Sequence, residues 1–547
     1  MECFCPKTSD KYSDKDIDNK NDDKKDDKED DDFEDTDTNA MDDYDPHNPS
    51  DKHYSQDALG SSLKYYTKIF LPPRSDLHRP QRPVVPGSKM WTDPDFPRPM
   101  KIKVNKKMCL LEWKRPHKIF RNPVLFHEET ERGDINQRSF GTCWFLAMVA
   151  NVADNPVLRR KVINEMSYTP RTDGIFHCRM WRFGEWVDVY TDDLLPVRRK
   201  SVFLFGAAAP SLSGELWVSL LEKALARLHG SYSVVEGGWP SDAYLSLTGG
   251  VAETIDFANY SDHPHHLFRR IANALGSGGM VTCCNLADED NMGLLGAHAY
   301  SLTGAKVVMR HDGEEIPLVR IRNPHGEHSE EWQGKWSDRS DEWSTLQIGS
   351  NLHHDNEDGE FWIDVDDFIR YFHQTTICSL TPDFDIDGRS DPLNYVLKIF
   401  GQWQGGTSVG QGYDITERLG NPKMAYTLPG QGGDVPVVVH IVQNADRGDR
   451  IYHMRCDLFK VINGAETASH IFLEKMPCNT ERKDYYYPAR QYTFRYSLTP
   501  GRYIVLPSLV HPGVNREFLI RVFSPRPLYK CRSIPRQVQV VLPHHRR

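Results

Sequence analysis

The chain has 547 residues, 39% of them hydrophobic with 12 tryptophans, so it can build sizeable cores and about three or four domains on length alone. Its formal net charge of −10 is unevenly spread: residues 13 to 46 form the acidic run "SDKDIDNKNDDKKDDKEDDDFEDTDTNAMDDYDP", whereas the end, "LPHHRR", is basic. No basic stripe interleaved with aromatics occurs, which argues against a nucleic-acid partner.

The start, "MECFCPKTSDKYSDKD", lacks the apolar stretch of a secretory signal, and no run of ~18 apolar residues offers a membrane span. Eleven cysteines without framework spacing fit free thiols in a reducing, cytoplasmic setting. Acylation of Cys3 or Cys5 would add a peripheral membrane contact; two free thiols in a tail is the plainer reading. Residues 1–70 read as an acidic disordered tail, too polar to offset the entropy of ordering. Residues 71–107 are proline-rich and read as an extended linker, with folded pattern starting near Met108.

From Cys143 the spacing of Phe145, Val149, Leu158 and Val162 predicts an amphipathic helix broken at Pro156. "IFHCRMWRFGEWVDVYTDD" alternates like two paired strands turning at Gly184. "GELWVSLLEKALARLHG" predicts a second helix stopped by Gly230. "LTGGV" (247–251) suits a joint between half-domains, and strands such as "GMVTCCNL", "HAYSLTGAKVVM" and "PLVRIRNP" follow. Past about 385, β runs such as "VPVVVHIVQ" and "NREFLIRVFSP" between Gly and Pro turns predict an antiparallel sandwich.

A thiol attacks as thiolate, and a cysteine at a helix N-terminus gains from unpaired N–H groups and the helix dipole. Cys143 occupies such a place, between a small-residue turn and an apolar run. Gln137, six positions earlier, can offer an amide to a tetrahedral oxyanion. His298 opens a strand among small residues and suits the general base and acid. Asn323 ends a later strand and can orient the imidazole. A buried core thiol is the default for one cysteine alone; the order Gln, Cys, His, Asn reverses that default.

These stretches resemble the calpain family. "DINQRSFGTCWFLA", "GIFHCRMWRFGEWVDVYTDDLLP", "GAHAYSLTGA", "RIRNPHGE", "WQGKWSD" and "DGEFWIDVDDF" correspond in order to its protease core. "GQWQGGTSVGQGYDITERLGNP" and "LTPGRYIVLPSLVHPGVNREFLIRVFSP" correspond to the sandwich after it. The resemblance implies an α+β, papain-like, two-lobed cysteine protease core followed by a C2-like antiparallel β-sandwich. It places the nucleophile half at 108–248, the His and Asn half at 249–380, the sandwich at 385–526 and a basic tail at 527–547.

The resemblance also implies calcium as cofactor. Asp134 and Glu215 match side-chain ligands of a first site, with carbonyls near His127 and Glu129. Glu331, Asp338, Asp358 and Glu360, with the carbonyl of Asn356, match a second, and Arg132 with Glu360 matches a pair linking the two. Calcium would draw the halves together until Cys143 meets His298. Protein substrates are implied; no small-subunit partner is expected, since the chain stops after the sandwich without a penta-EF-hand module.

Three departures qualify this. Arg138 replaces a glycine after the glutamine, Thr142 replaces Asp or Asn before the cysteine, and His325 replaces the tryptophan that shields the His–Asn bond. Loss of that shield is expected to give a slower or differently gated enzyme. The leading function is therefore a calcium-dependent intracellular cysteine endopeptidase making limited cuts; the alternative is a catalytically weakened scaffold, with a transglutaminase a distant third. "DFDIDG" (383–388) mimics the start of an EF-hand, but position 12 is Asn394, so it reads as a polar turn.

Overall fold

The computed structural model describes residues 64–70 and 90–541, apart from short stretches at 105–106, 128–134, 165–167, 200–203, 209–213, 327–330, 348–351, 353–357, 446–448, 463–469, 479–485 and 535–538. The chain begins with strands β1 (Lys64–Phe70), β2 (Lys101–Val104) and β3 (Lys107–Lys114). Two of these correct the expected boundaries. β1 lies within the segment read as acidic tail, because averaging over 1–70 hides the β-forming run "KYYTKIF". β2 lies within the expected linker and pairs with β3. Packing also starts before Met108: Asp93 is fully buried and accepts from Arg227 Nε at 2.6 Å, a long-range pair invisible to local pattern.

The predicted broken helix is two helices, α1 (Cys143–Ala153) and α2 (Pro156–Val162). Asn155 caps α2 by accepting from Leu158 N at 3.0 Å, with Pro156 at the first helical position. α1 is not amphipathic: every residue except Asn151 is buried. A helix apolar all round belongs inside a core, and α1 packs on strands of the following half as well as on its own.

β4 (Ile175–Arg182) and β5 (Glu185–Asp192) form the expected hairpin. Gly184 turns it at φ +96°, and a Cβ there would sit 2.7 Å from the Phe400 ring. β6 (Leu195–Arg198) pairs with β3. α3 (Trp217–His229) stops at Gly230, φ +109°. α4 (Pro240–Thr248) ends at Gly249 in the left-handed region, at the predicted joint.

Beyond the joint come β7 (Val251–Asp256), α5 (Pro264–Gly276), β8 (Met280–Asn285), β9 (His298–Met309), β10 (Glu315–Arg322), β11 (Glu360–Asp364), α6 (Val365–Tyr371) and β12 (Gln374–Ser379). The strands form one antiparallel sheet in the order β11-β10-β9-β8-β12-β7. Leu267, Phe268, Ile271 and Ala274 of α5 pack on it at helical spacing.

The last region holds β13 (Tyr395–Trp403), β14 (Met424–Leu428), β15 (Val435–Gln443), β16 (Met454–Val461), β17 (His470–Lys475), β18 (Gln491–Leu498), β19 (Gly501–Leu509), β20 (Arg516–Ser524), β21 (Tyr529–Ser533) and β22 (Gln539–Val541). They make two sheets, β1-β13-β20-β15-β18 and β21-β14-β19-β16-β17-β22. Alternate residues such as Leu397, Val437 and Ile520 of one meet Tyr426, Leu458 and Val505 of the other in a shared core. The pairing is antiparallel except at β1–β13 and β17–β22. β21 and β22 carry the sheet into 527–547, the stretch expected to be only a basic tail.

Polar contacts seat these sheets on the rest. Arg521 donates from Nη1 to Gly249 O at 2.6 Å and from Nη2 to Gly250 O at 2.7 Å. Glu253 sits between Arg495 and Arg270, and Lys398 Nζ reaches Gly184 O at 2.6 Å. No helix among the described residues is long and apolar enough to cross a membrane.

Candidate active site

Cys143 opens α1 and is fully buried, and the N–H groups of Phe145 and Leu146 turn back to Thr142 O at 2.9 Å to start the helix. The residue before it, Thr142, does not cap the helix with its side chain. Its Oγ1 instead donates to Glu222 Oε1 at 2.6 Å, and Ala207 N donates to Glu222 Oε2 at 2.8 Å. Burial pushes the Glu222 carboxyl up to about 7, against the pull of these two donors. Its neighbour Lys223 is fully buried too, held by Asp192 Oδ1 and by the carbonyls of Asp192 and Leu194, at 2.8 and 2.7 Å. Burial drives Lys223 down from its ordinary value while Asp192 opposes the shift. α1 therefore starts on a platform of dry ionisable groups.

His298 is the first residue of β9, paired with Asn285 at the end of β8. Ala297 before it holds φ +44°, an uncommon conformation for a non-glycine residue, pinned by Ala297 N to Ala287 O at 2.7 Å. His298 Nε2 lies 3.0 Å from Asn323 Oδ1. An amide oxygen only accepts, so Nε2 carries the proton and Nδ1 remains for another partner. Asn323 is fully buried at the end of β10, its N–H on Gly359 O at 2.8 Å.

The two halves meet here. α1 packs on β8 and β9, and Cys143 shares a core cluster with Ala299 and Cys284. Gln137 N donates to Pro324 O at 2.7 Å, and Arg322 Nη2 donates to Ile135 O at 3.1 Å. Gln137 Nε2 donates to Phe140 O at 2.8 Å, which orients its amide in the turn before Cys143. Gly326 needs φ +70°, and a Cβ on it would sit 1.6 Å from the Asn136 side-chain amide.

The expected loss of the shield over His298 and Asn323 needs correction. The His325 ring stacks on His298, centroids 5.1 Å apart and planes 22° from parallel. Its backbone N–H donates to Asn323 Oδ1 at 3.0 Å. An imidazole thus takes the covering place, because the loop fixes the position and leaves only the ring's chemistry to the residue. Glu222, Tyr300 (edge-on to His298 at 4.8 Å) and Arg322 are site residues the sequence reading missed. Within "LLEKALARLHG", Glu222 and Lys223 look like an ordinary charged helix face, and only their flanking apolar residues hint at burial.

Of the residues matched to calcium, Asp134 and Asn356, the latter for its carbonyl, lie outside the described residues, as do Arg132 and Glu129. Glu215 is buried and its Oε1 accepts from His127 N at 3.1 Å. Glu331 Oε1 accepts from Gly359 N at 2.7 Å, which joins its loop to the one carrying Asp358 and Glu360. Asp358 Oδ1 accepts from Glu360 N at 2.8 Å, and Glu360 pairs with Arg320 Nε at 3.5 Å. The donor set is chemically suited to a hard cation, and Glu331 with Asp358 and Glu360 shows the loops adjoining. Among the described residues, the acid trio with ligand atoms within 4.8 Å of one another is a different one, Asp383, Asp385 and Asp391. That loop is knitted by its own side chains, with Asp383 accepting from Ile386 N at 2.7 Å and Gly388 N at 2.8 Å.

Residues 91–379 match the family model described as calpain family cysteine protease, and residues 399–523 match that of calpain large subunit, domain III. The chain belongs to the calpain family. The calpain-2 catalytic subunit of Bos taurus is 34% identical over 442 residues, covering 76% of this chain and 62% of that protein. Calpain-A of Drosophila melanogaster is 33% identical over 446 residues, covering 76% of this chain and 53% of that protein. This calpain therefore spans less than two thirds of the length of these relatives. A solved structure of PNGase F, a glycosylasparaginase from Flavobacterium meningosepticum, overlaps with a TM-score of 0.14 and 11% identity, 47% of this chain against 88% of that one, and carries no argument.

Proposed function

We propose that this calpain is a calcium-dependent cysteine endopeptidase that cuts protein substrates through Cys143, His298 and Asn323, on a papain-like pair of lobes followed by a C2-like sandwich. The observation that carries the reading is the 3.0 Å contact of His298 Nε2 with Asn323 Oδ1, on a strand packed against the helix that Cys143 opens.

With Nε2–H held by Asn323, His298 Nδ1 is the atom left to take the Cys143 proton. The resulting thiolate attacks the scissile carbonyl, and the imidazolium then returns the proton to the leaving amine. The Cys143 N–H and the Gln137 amide are suited to the oxyanion. Water attacks the acyl-enzyme by the same route in reverse, with His298 as base. Glu215, Glu331, Asp338, Asp358 and Glu360 would hold calcium, which would supply positive charge between loops of like charge and so favour one arrangement of the halves.

Casein digestion at rising calcium, beside Cys143→Ala, tests this. Calcium-dependent cleavage lost in the variant is expected. Calcium binding without cleavage in either protein would instead favour the weakened scaffold. Glu360→Ala should raise the calcium needed for half-maximal cleavage; an unchanged requirement would remove Glu360 from the ligand set.

A further inference from the structure

His325 holds the His298–Asn323 pair from two directions. Its backbone N–H shares Asn323 Oδ1 with His298 Nε2, both at 3.0 Å, and its ring lies over the His298 ring. The loop is fixed on its far side as well: in the orientation that satisfies its hydrogen bonds, the Asn136 amide donates to His325 O at 3.1 Å. The ring is half-buried, so it screens the pair without being cut off from solvent protons.

We propose that His325 is a positioning residue that makes the Cys143–His298 pair sensitive to pH: neutral, its ring covers the His298–Asn323 bond, and protonated, it opposes the charge on His298. This rests on the cysteine-protease reading above and adds a regulation to it.

Among the described residues, the titratable and charged groups on the surrounding elements are His298 and Tyr300 on β9, Cys143 on α1, Arg138 in the turn before it, Asp290 in the loop before β9, and Arg322 at the end of β10. Arg322 is directed to Ile135 O, Asp290 Oδ1 accepts from Gly296 N at 2.9 Å, and Tyr300 Oη accepts from Leu295 N at 2.7 Å. The group stacked on His325 is the imidazole of His298 itself. Reactive enzyme carries a thiolate on Cys143 and a proton on His298. A second positive ring stacked on the imidazolium raises the energy of that charge-separated form relative to thiol and neutral imidazole. One proton delivered by hydronium onto His325, leaving water, is therefore answered by return of the His298 proton to Cys143; no other bond changes. Like charges about 5 Å apart in a partly solvated site couple by on the order of one pH unit.

The test follows alkylation of Cys143 by iodoacetamide in the full chain with calcium, from about pH 4.5 to 8, around the ordinary imidazole range. Rates are read by mass spectrometry against Cys109, a half-exposed thiol of the same chain. Wild type should lose Cys143 reactivity about one pH unit higher, as acid is added, than His325→Phe or His325→Trp, which keep a ring that cannot titrate. Should one variant fail to fold, the other carries the comparison. Nitrogen-15 NMR of the His298 ring, which needs no turnover, should show it holding its proton to higher pH in the variants. Coinciding acid limbs, with Cys143 still outpacing Cys109, would overturn the proposal alone. Cys143 reacting no faster than Cys109 at any pH would overturn the protease reading and this inference with it.

Discussion

Cys143 and His298 reach the same place on different supports. The sulfur stands at the head of a helix anchored by buried ionisable groups, with Thr142 on Glu222 and Lys223 on Asp192 beside it. The imidazole stands at the head of a strand anchored by a backbone ladder, the Asn323 amide and the rings of Tyr300 and His325. Backbone ladders are indifferent to pH and tolerate changes of side chain, whereas dry charges hold firmly only while every partner is present. The Cys143 side should therefore be the side on which stability is concentrated, and the His298 side the one on which rate can be adjusted.

Removing a charge from the first support is the harshest way to break this contrast. Lys223→Ala leaves the buried Asp192 carboxylate with Arg98 Nη1, at 3.0 Å, in place of two cations, and should lower unfolding free energy by about 3 kcal/mol in a denaturant titration. A loss under about 1 kcal/mol would show that the platform is not what holds α1.

Glu222 gives a pH window. Its folded value, about 7, lies above the ordinary carboxylate value of 4.5. Its favourable share of stability is thus complete below about 4.5 and is lost as pH rises through 7, a decline of about 3 kcal/mol. Glu222→Gln should flatten that stretch of the stability–pH curve; an identical slope in the variant would place the titration elsewhere.

The second support should respond in rate. Asn323→Ala removes the acceptor for His298 Nε2 and should lower kcat/KM by about a hundredfold, ~2.7 kcal/mol, with unfolding little changed. Smallest is Arg521→Met, which releases two carbonyls at the joint and should cost about 2 kcal/mol, read as a lower Tm.

How far the sequence revealed this follows from the range of each interaction. The places of Cys143 at the head of a helix and of His298 at the head of a strand were legible from Gly141, Ala297 and Ala299 beside them, and that of Asn323 from the end of the run "PLVRIRNP". The β4–β5 hairpin was legible from alternation around Gly184, and the end of α3 from Gly230. α5 was legible too, through Leu267, Phe268, Ile271 and Ala274 at helical spacing, though it was not picked out. Other features depend on residues far apart in the chain: Glu222 beneath Thr142, Asp93 against Arg227, β1 on β13. Helical residues 222 and 223 resemble any solvated pair until the fold closes over them. The covering role of the His325 ring depended on a loop geometry that residue identity alone does not specify.

Arg521 gives the molecule a property that neither half-domain has by itself. Its two nitrogens grip the consecutive carbonyls of Gly249 and Gly250, where α4 hands over to β7, from a strand of the last two sheets. A shift of β20 would be felt at that turn, so the final sheets are tied mechanically to the stretch of chain that runs between Cys143 and His298.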